Sequence, residues 1–327
     1  MKQLRHTNVS SCPILTLENV VYPTQEQTAE GRSQTMRLRG FHLLSALNSF
    51  STEDSVITPD GITKVESSSE HINYVKQWTL TSSFGLTAIK AIDLSLSGTV
   101  YVSYLSDPSI EAIGFVNVSG NSRSTVDAVT VSNEVDFVFH AEVSVKESKP
   151  ISSGYLLTEI FLATPNSLAK VTSEHSAQVV VEDEVLRKDS KIRNMKITAR
   201  DTSAVYVSLP ETDLKLRKLS LETFQDASIE FKAKSVSPWQ ELDLKAEKSS
   251  EIKLLTSSVE TSSLNLESGG FDSKICISAK EVIAVRDGVD GRDSISIPNS
   301  SYKHKTNGTS SCKESGFPAR DASKIIR

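Results

Sequence analysis

Glycine is scarce in this chain, with 14 among 327 residues, and cysteine is scarcer, with 3. Three cysteines cannot frame a small disulfide scaffold. No stretch of 18 apolar residues occurs, so the sequence holds no transmembrane helix. A basic surplus is missing as well. Against 41 Asp and Glu stand 36 Lys and Arg, a net charge of −5, and a broad nucleic-acid footprint needs the opposite balance. The common catalytic signatures are absent: no H-E-x-x-H, no G-x-S-x-G, no G-x-G-x-x-G and no Walker loop. The histidines, His6, His42, His71, His140, His175 and His304, are scattered. His175 follows Glu174 but has no second acid–base group near it in sequence, so it reads as a solvated turn histidine. What remains is an ordinary soluble composition, 38% hydrophobic and 24% charged, in a chain long enough to bury a large core.

The two ends read as extensions. In residues 1–75 the apolar residues come in short bursts, such as Ile14-Leu15, Val20-Val21 and Leu43-Leu44, with neither a period of 2 nor of 3.6. A signal peptide needs a positive start, a longer apolar core and a small-residue cleavage site. Pro13-Ile14-Leu15 is too short a core. Met36 opens Met36-Arg37-Leu38-Arg39-Gly40 and then Phe41 to Leu47, which resembles a weak signal sequence behind an upstream extension. A short amphipathic helix is the plainer reading. Residues 287–327 have turn and tail composition. Asp287, Asp290 and Asp293 form the best oxygen-ligand cluster for Ca²⁺, but their spacing fits neither the EF-hand nor the RTX repeat, and an acidic loop is the better reading. N-x-Ser/Thr sequons fall at Asn8, Asn117, Asn299 and Asn307, about the number that chance supplies in a chain so rich in Ser and Thr. Cys12 and Cys312 lie in the two extensions and Cys276 lies between Ile275 and Ile277, so no metal-ligand spacing exists. Free thiols are preferred over a Cys12–Cys312 bridge.

Between the extensions, over residues 76–286, apolar and polar residues alternate in short runs, the mark of half-buried strands. Thr99-Val100-Tyr101-Val102-Ser103-Tyr104 is one such run, and prolines such as Pro150, Pro165, Pro210 and Pro238 punctuate the series. The second half repeats. An apolar–x–apolar unit, a polar turn and a second such unit occur as Ala169/Val171 with Val179/Val181, then Met195/Ile197 with Val205/Val207. They return as Leu219/Leu221 with Ile229/Phe231, Leu242/Leu244 with Ile252/Leu254, and Leu264/Leu266 with Ile275/Ile277. The first units step by 26, 24, 23 and 22 residues. Small or short polar residues precede each second unit: Ser176-Ala177, Ser203-Ala204, Ala227-Ser228, Ser249-Ser250 and Asp272-Ser273. Such a period with two short strands per step is the coil of a solenoid, in which stacking buries what one coil cannot. The expected fold is all-β, a right-handed parallel β-solenoid, β-helix-like, with handedness following the rule for parallel crossovers. An antiparallel sandwich is the alternative, but it does not require corner chemistry to recur in register.

Two segments resemble the head GIN domain family, proposed auto-transporter adhesin domains. One is residues 92–102, Ile92-Asp93-Leu94-Ser95-Leu96-Ser97-Gly98-Thr99-Val100-Tyr101-Val102. The other is Leu156-Leu157-Thr158-Glu159-Ile160-Phe161-Leu162-Ala163-Thr164-Pro165, followed by Ser167 to Val171 and the corner Ser176-Ala177. The resemblance spans residues 84–285 and departs from the family where Gly at the corners is replaced by Ser, Ala or His. It implies a parallel β-solenoid, often surface-exposed or exported, without assigned catalytic residues. The expected function is therefore a non-catalytic, adhesin-like surface or structural protein at the cell surface or outside the cell, with a cytoplasmic location as the alternative. Its ligand would be protein or glycan, with no cofactor, no metal and no nucleic acid. A carbohydrate-active enzyme, a polysaccharide lyase or hydrolase on a β-helix scaffold, is the alternative by fold analogy. That chemistry needs clustered carboxylates, and the outward row Lys170, Lys196, Ser220, Asp243, Asn265 forms no carboxylate pair. The second outward row, Val180, Tyr206, Glu230, Lys253, Cys276, is expected to lie exposed, with Glu230 beside Lys253.

Overall fold

The computed structural model describes residues 57–65, 71–81, 88–106, 112–135, 141–151, 153–298, 300, 308, 312–316 and 318. These belong to one compact unit, Ser51–Arg327. Its strands begin with β1 (Ile57–Pro59), β2 (Thr63–Lys64), β3 (Tyr74–Thr81), β4 (Ile89–Leu96), β5 (Thr99–Tyr104) and β6 (Ala112–Gly120). A short helix, α1 (Arg123–Asp127), leads to β7 (Val129–Val135), β8 (Ala141–Glu147) and β9 (Leu156–Leu162). The stacked region holds β10 (Lys170–His175), β11 (Gln178–Val181), β12 (Asp189–Ala199), β13 (Ala204–Thr223), β14 (Ser228–Val236), β15 (Glu241–Glu247), β16 (Glu251–Leu255), β17 (Ser258–Gly269), β18 (Lys274–Ser278), β19 (Glu281–Asp290) and β20 (Ile295–Ser296).

The stack is a parallel β-solenoid. Val171, Ile197, Leu221, Leu244 and Leu266 face one another in register through β10, β12, β13, β15 and β17. Val181, Val207, Phe231, Leu254 and Ile277 do the same through β11, β13, β14, β16 and β18. Every member of both ladders is fully buried, as the sequence alignment of the coils requires. Neighbours one strand spacing apart, about 4.8 Å, pack continuously along the stack, so each coil buries the face of the next. A third side escaped the sequence reading. Leu214, Val236, Val259 and Val282 form a third buried ladder, mid-strand in β13 and near strand ends in β14, β17 and β19.

The corner between the first two sides explains the scarcity of glycine. One residue per coil takes a left-handed backbone: His175, Asp201, Gln225, Lys248 and finally Gly270. Non-glycine residues pay for that conformation in steric energy. Here side chains offset it by satisfying the strained backbone of the coil before: the His175 N–H donates to Asp201 Oδ2 at 3.0 Å, and the Asp201 N–H to Gln225 Oε1 at 2.9 Å. Inside the corner Ala177, Ser203, Ala227, Ser250 and Ser273 stack in a buried column. The small residues of the repeat are thus there because a tight bend leaves no volume.

Stacking order departs from chain order at the N-terminal end. β4 lies between β8 and β10, and β5 between β9 and β11. The outer edges of β8 and β9 are covered by antiparallel β7 and β6, and β3 pairs with β6. Trp78 and Leu80 of β3 reach the main core. At the other end β19 extends the stack on β17 and runs through Asp290, and β20 pairs with β18. Pro210 is placed within β13 rather than between strands, and the pairing shifts there, between Leu209 and Asp213, so its missing N–H leaves no gap in the ladder.

Candidate functional site

The chemistry-bearing residues singled out by sequence do not converge. His175 is an exposed corner residue with Nδ1 3.0 Å from Ser95 Oγ, and its neighbour Glu174 pairs with Arg200. Asp287 and Asp290 lie on β19 and Asp293 in a 3-10 turn, all exposed. Among the described residues no group of three His, Cys, Asp or Glu side chains could hold a metal ion, and no helix is long and apolar enough to cross a membrane. Asn117 sits in the middle of β6 between β3 and β9. His6, His42, His140, His304, Cys12, the Met36 segment and the sequons at Asn8, Asn299 and Asn307 lie outside the described residues.

The first outward row holds the expected register, and its charges neutralise one another. Lys170 meets Glu142 at 2.8 Å and Lys196 meets Glu222 at 2.7 Å. Asp243 accepts from Ser220, Asn265 and Lys218. One position along, Lys245 bridges Glu247 and Glu267, each at 2.9 Å, and these two hydrogen-bonded carboxylates hold its ammonium well above the usual lysine pKa.

The second outward row is in register but is not exposed, and the expectation of free thiols fails at Cys276 and Cys312. Cys276 is disulfide-bonded to Cys312 with a Cα–Cα distance of 5.4 Å. Alternation does point Cys276 off the outer face, and residues 312–316 cross that same face. The Ser315 N–H donates to Glu230 Oε2 at 2.9 Å, Lys253 Nζ donates to Ser315 Oγ at 2.6 Å, and Lys232 pairs with Glu314 at 2.8 Å. Glu230 and Lys253 therefore bind the crossing segment, and Glu230 is buried. At the other end of the row, Ile72 packs on Tyr101, Leu157 and Val180 with Tyr206 alongside. The apolar spot at Val180 and Tyr206 is a packing site under Val65, Ile72 and Val75. Burial and then Glu230 push the Tyr206 hydroxyl pKa upward.

Unpaired charge gathers elsewhere, in a hollow of about 400 Å³ lined by Lys90, Asn166, Arg187, Lys188, Asp189 and Arg193. Two irregular strands build it. On β4 the pairing with β8 passes from Ile89↔Ala141 to Ala91↔Glu142, so Lys90 is an extra residue. On β12 the pairing with β13 passes from Ser190↔Leu216 to Asn194↔Lys218, two extra residues that carry Arg193 outward. Bulges of this kind re-aim side chains that a regular ladder would place elsewhere. Between them, the connection holding Arg187 is tied down by a Leu168–Leu186 bridge, and Arg187 Nη2 donates to the Ser167 carbonyl at 3.3 Å. Lys188 is neutralised by Asp183 at 2.6 Å. Lys90, Arg187 and Arg193 form no ion pair among the described residues. Burial and then the charges of Arg187 and Arg193 lower the pKa of Lys90, and burial and then Arg193 lower that of Arg187. The sequence did carry one trace of this site: the longest coil step, 26 residues, exceeds the next by the two residues of the β12 bulge.

No family model matches the chain, so the likeness to the head GIN family stands as a resemblance. No curated protein matches it either. Solved structures do resemble it. A proposed adhesin from Parabacteroides merdae is 12% identical with a TM-score of 0.38, over 69% of this chain and 94% of that one. Proposed adhesins from Bacteroides fragilis and Parabacteroides distasonis are each 12% identical with a TM-score of 0.36, over 75% of this chain and 94% and 98% of theirs. At these scores the likeness is loose, and no ligand or activity follows from it.

Proposed function

We propose that this chain is a non-catalytic, adhesin-like β-solenoid that works by binding a protein or glycan ligand at the cell surface or outside the cell. The observation that carries this reading is the hollow at Lys90, Arg187 and Arg193. It is a recess on a rigid stack, furnished with hydrogen-bond donors that hold charge and with no nucleophile beside a base, which is equipment for holding a ligand rather than turning it over. Elsewhere the outward charges of the first row are spent on one another. The disulfide supports the location, because such bonds persist in oxidising compartments and are rare in the cytosol. The test combines a glycan and protein array with a hydrolysis and lyase screen on the same ligands. Binding without product supports the reading. Release of shortened or unsaturated sugar would overturn it in favour of a carbohydrate-active enzyme.

A further inference from the structure

We propose that the hollow at the two bulges is an oxyanion site, which takes a sulfate, phosphate monoester or carboxylate group between Lys90, Arg187 and Arg193. The proposal rests on the binding reading above and names the chemistry of the ligand.

The argument begins with how the charges come together. In a regular solenoid the outward side chains of neighbouring coils stand one strand spacing apart, and this chain sets carboxylates within reach of the lysines there. At β4 and β12 it interrupts the ladder in two neighbouring regions instead, and each interruption delivers a cation to one recess. A third cation, Arg187, is oriented by its bond to the Ser167 carbonyl and is only partly exposed. Three like charges around one cavity repel, and burial followed by this repulsion lowers the pKa of Lys90 and Arg187. Asp189 also lines the cavity, but it is exposed and makes no ion pair with the three cations. Asn166, in a left-handed turn at φ 52°, adds a neutral amide at the rim. Guanidinium groups donate in a planar fork that suits two oxygens of one anion, and an ammonium adds a point charge. A cavity of about 400 Å³ admits more than a bare ion; it has room for a sugar-sized group bearing the anion.

The experiment uses the full chain and follows affinity by calorimetry at constant ionic strength, adjusted with chloride. Sodium sulfate, inorganic phosphate and acetate are titrated first. Glucose 6-sulfate, glucose 6-phosphate, glucuronate and glucose then separate the sources of the charge. Saturable binding of at least one anion, with glucose inert, is expected. Arg193→Gln changes an exposed bulge residue and relieves repulsion on its neighbours, so it should not lower the melting temperature, and it should weaken the anion by about tenfold or more, the loss of one charge-assisted hydrogen bond. Arg187→Gln should weaken it at least as much. Non-saturating heats, or an affinity in both variants equal to that of the native chain, would overturn the site. The two proposals fail separately. If Arg193→Gln leaves both anion affinity and array binding intact, the site is refuted and the binding function stands. If the anion binds as described while the chain degrades a polysaccharide, the site stands and the non-catalytic reading fails.

Discussion

At Lys90 the cost of crowding three cations becomes measurable as pH dependence. Burial, then Arg187 and Arg193, lower its pKa, so the folded chain releases this proton more readily than the unfolded one. The repulsion acts at pH below the lowered value and is relieved as pH rises through it. A bound anion reverses the balance by favouring the charged form. Sulfate affinity should therefore hold steady below that value and fall as pH passes through it towards the ordinary lysine range. Sulfate suits the test because it does not itself titrate there. Titrations repeated with Lys90→Met should show weaker binding without the fall; an unchanged profile would remove Lys90 from the site. The corner column gives a second single-residue test. Ser203 is fully buried between Ala177 and Ala227, and its hydroxyl donates to the Ser173 carbonyl at 3.0 Å. Ser203→Ala restores the residue found directly above and below and should be nearly neutral. Ser203→Leu overfills the bend and should cost about 1–3 kcal/mol or more in urea denaturation.

The strands were the most legible elements, because a side chain that must face a stacked core every second residue leaves its period in the sequence. Leu244 illustrates this: its place in the ladder follows from spacing alone, and it is fully buried between Leu221 and Leu266. Leu244→Ala should destabilise by about 2–5 kcal/mol, read from the shift of the denaturation midpoint. What pairing offsets create was harder to see. Lys90 and Arg193 are ordinary surface cations in sequence and meet only because two strands each carry extra residues. The crossing segment at 312–316 was invisible for a related reason. Cys276 and Cys312 are 36 residues apart, and nothing in the composition of the tail says which face it crosses. That segment can be tested as an element. A cross-link of this span stabilises by roughly 2–4 kcal/mol in the chain-entropy account. Cys312→Ser should lower the melting temperature, and reductant should bring the native chain to the same value without affecting the variant. Identical melting of all samples would show that residues 312–316 add nothing to the stack.

On the scale of the whole molecule, a solenoid must end, and its ends decide whether it stays soluble. An open coil offers unpaired backbone N–H and C=O groups to any other strand. Here the N-terminal end is closed by reversal of direction: antiparallel β6 and β7 take the edges of β9 and β8, and β3 then takes β6. The cap is also part of the core. Trp78 and Leu80 are buried in the main cluster, and Ile72 closes the second cluster over Tyr101, Leu157 and Val180. β1 and β2, by contrast, pair only with β3 and total five residues. Chain length should therefore matter in a stepwise way. A protein starting at His71 loses β1 and β2 but keeps β3, Ile72, Trp78 and Leu80, and should remain soluble with a single cooperative melt. A protein starting at Ala88 loses all three large side chains, each contributing about 1.5–3 kcal/mol when fully buried, and also bares the edge of β6. It should melt at a markedly lower temperature and scatter light as concentration rises. Ile72→Ala with Trp78→Ala in the longer protein separates the two effects, since it removes buried area and leaves the edge covered: it should lower the melting temperature without causing association. If the protein starting at Ala88 stays monomeric and melts like the longer one, β3 is an ornament on the stack and the end is protected by β6 and β7 alone.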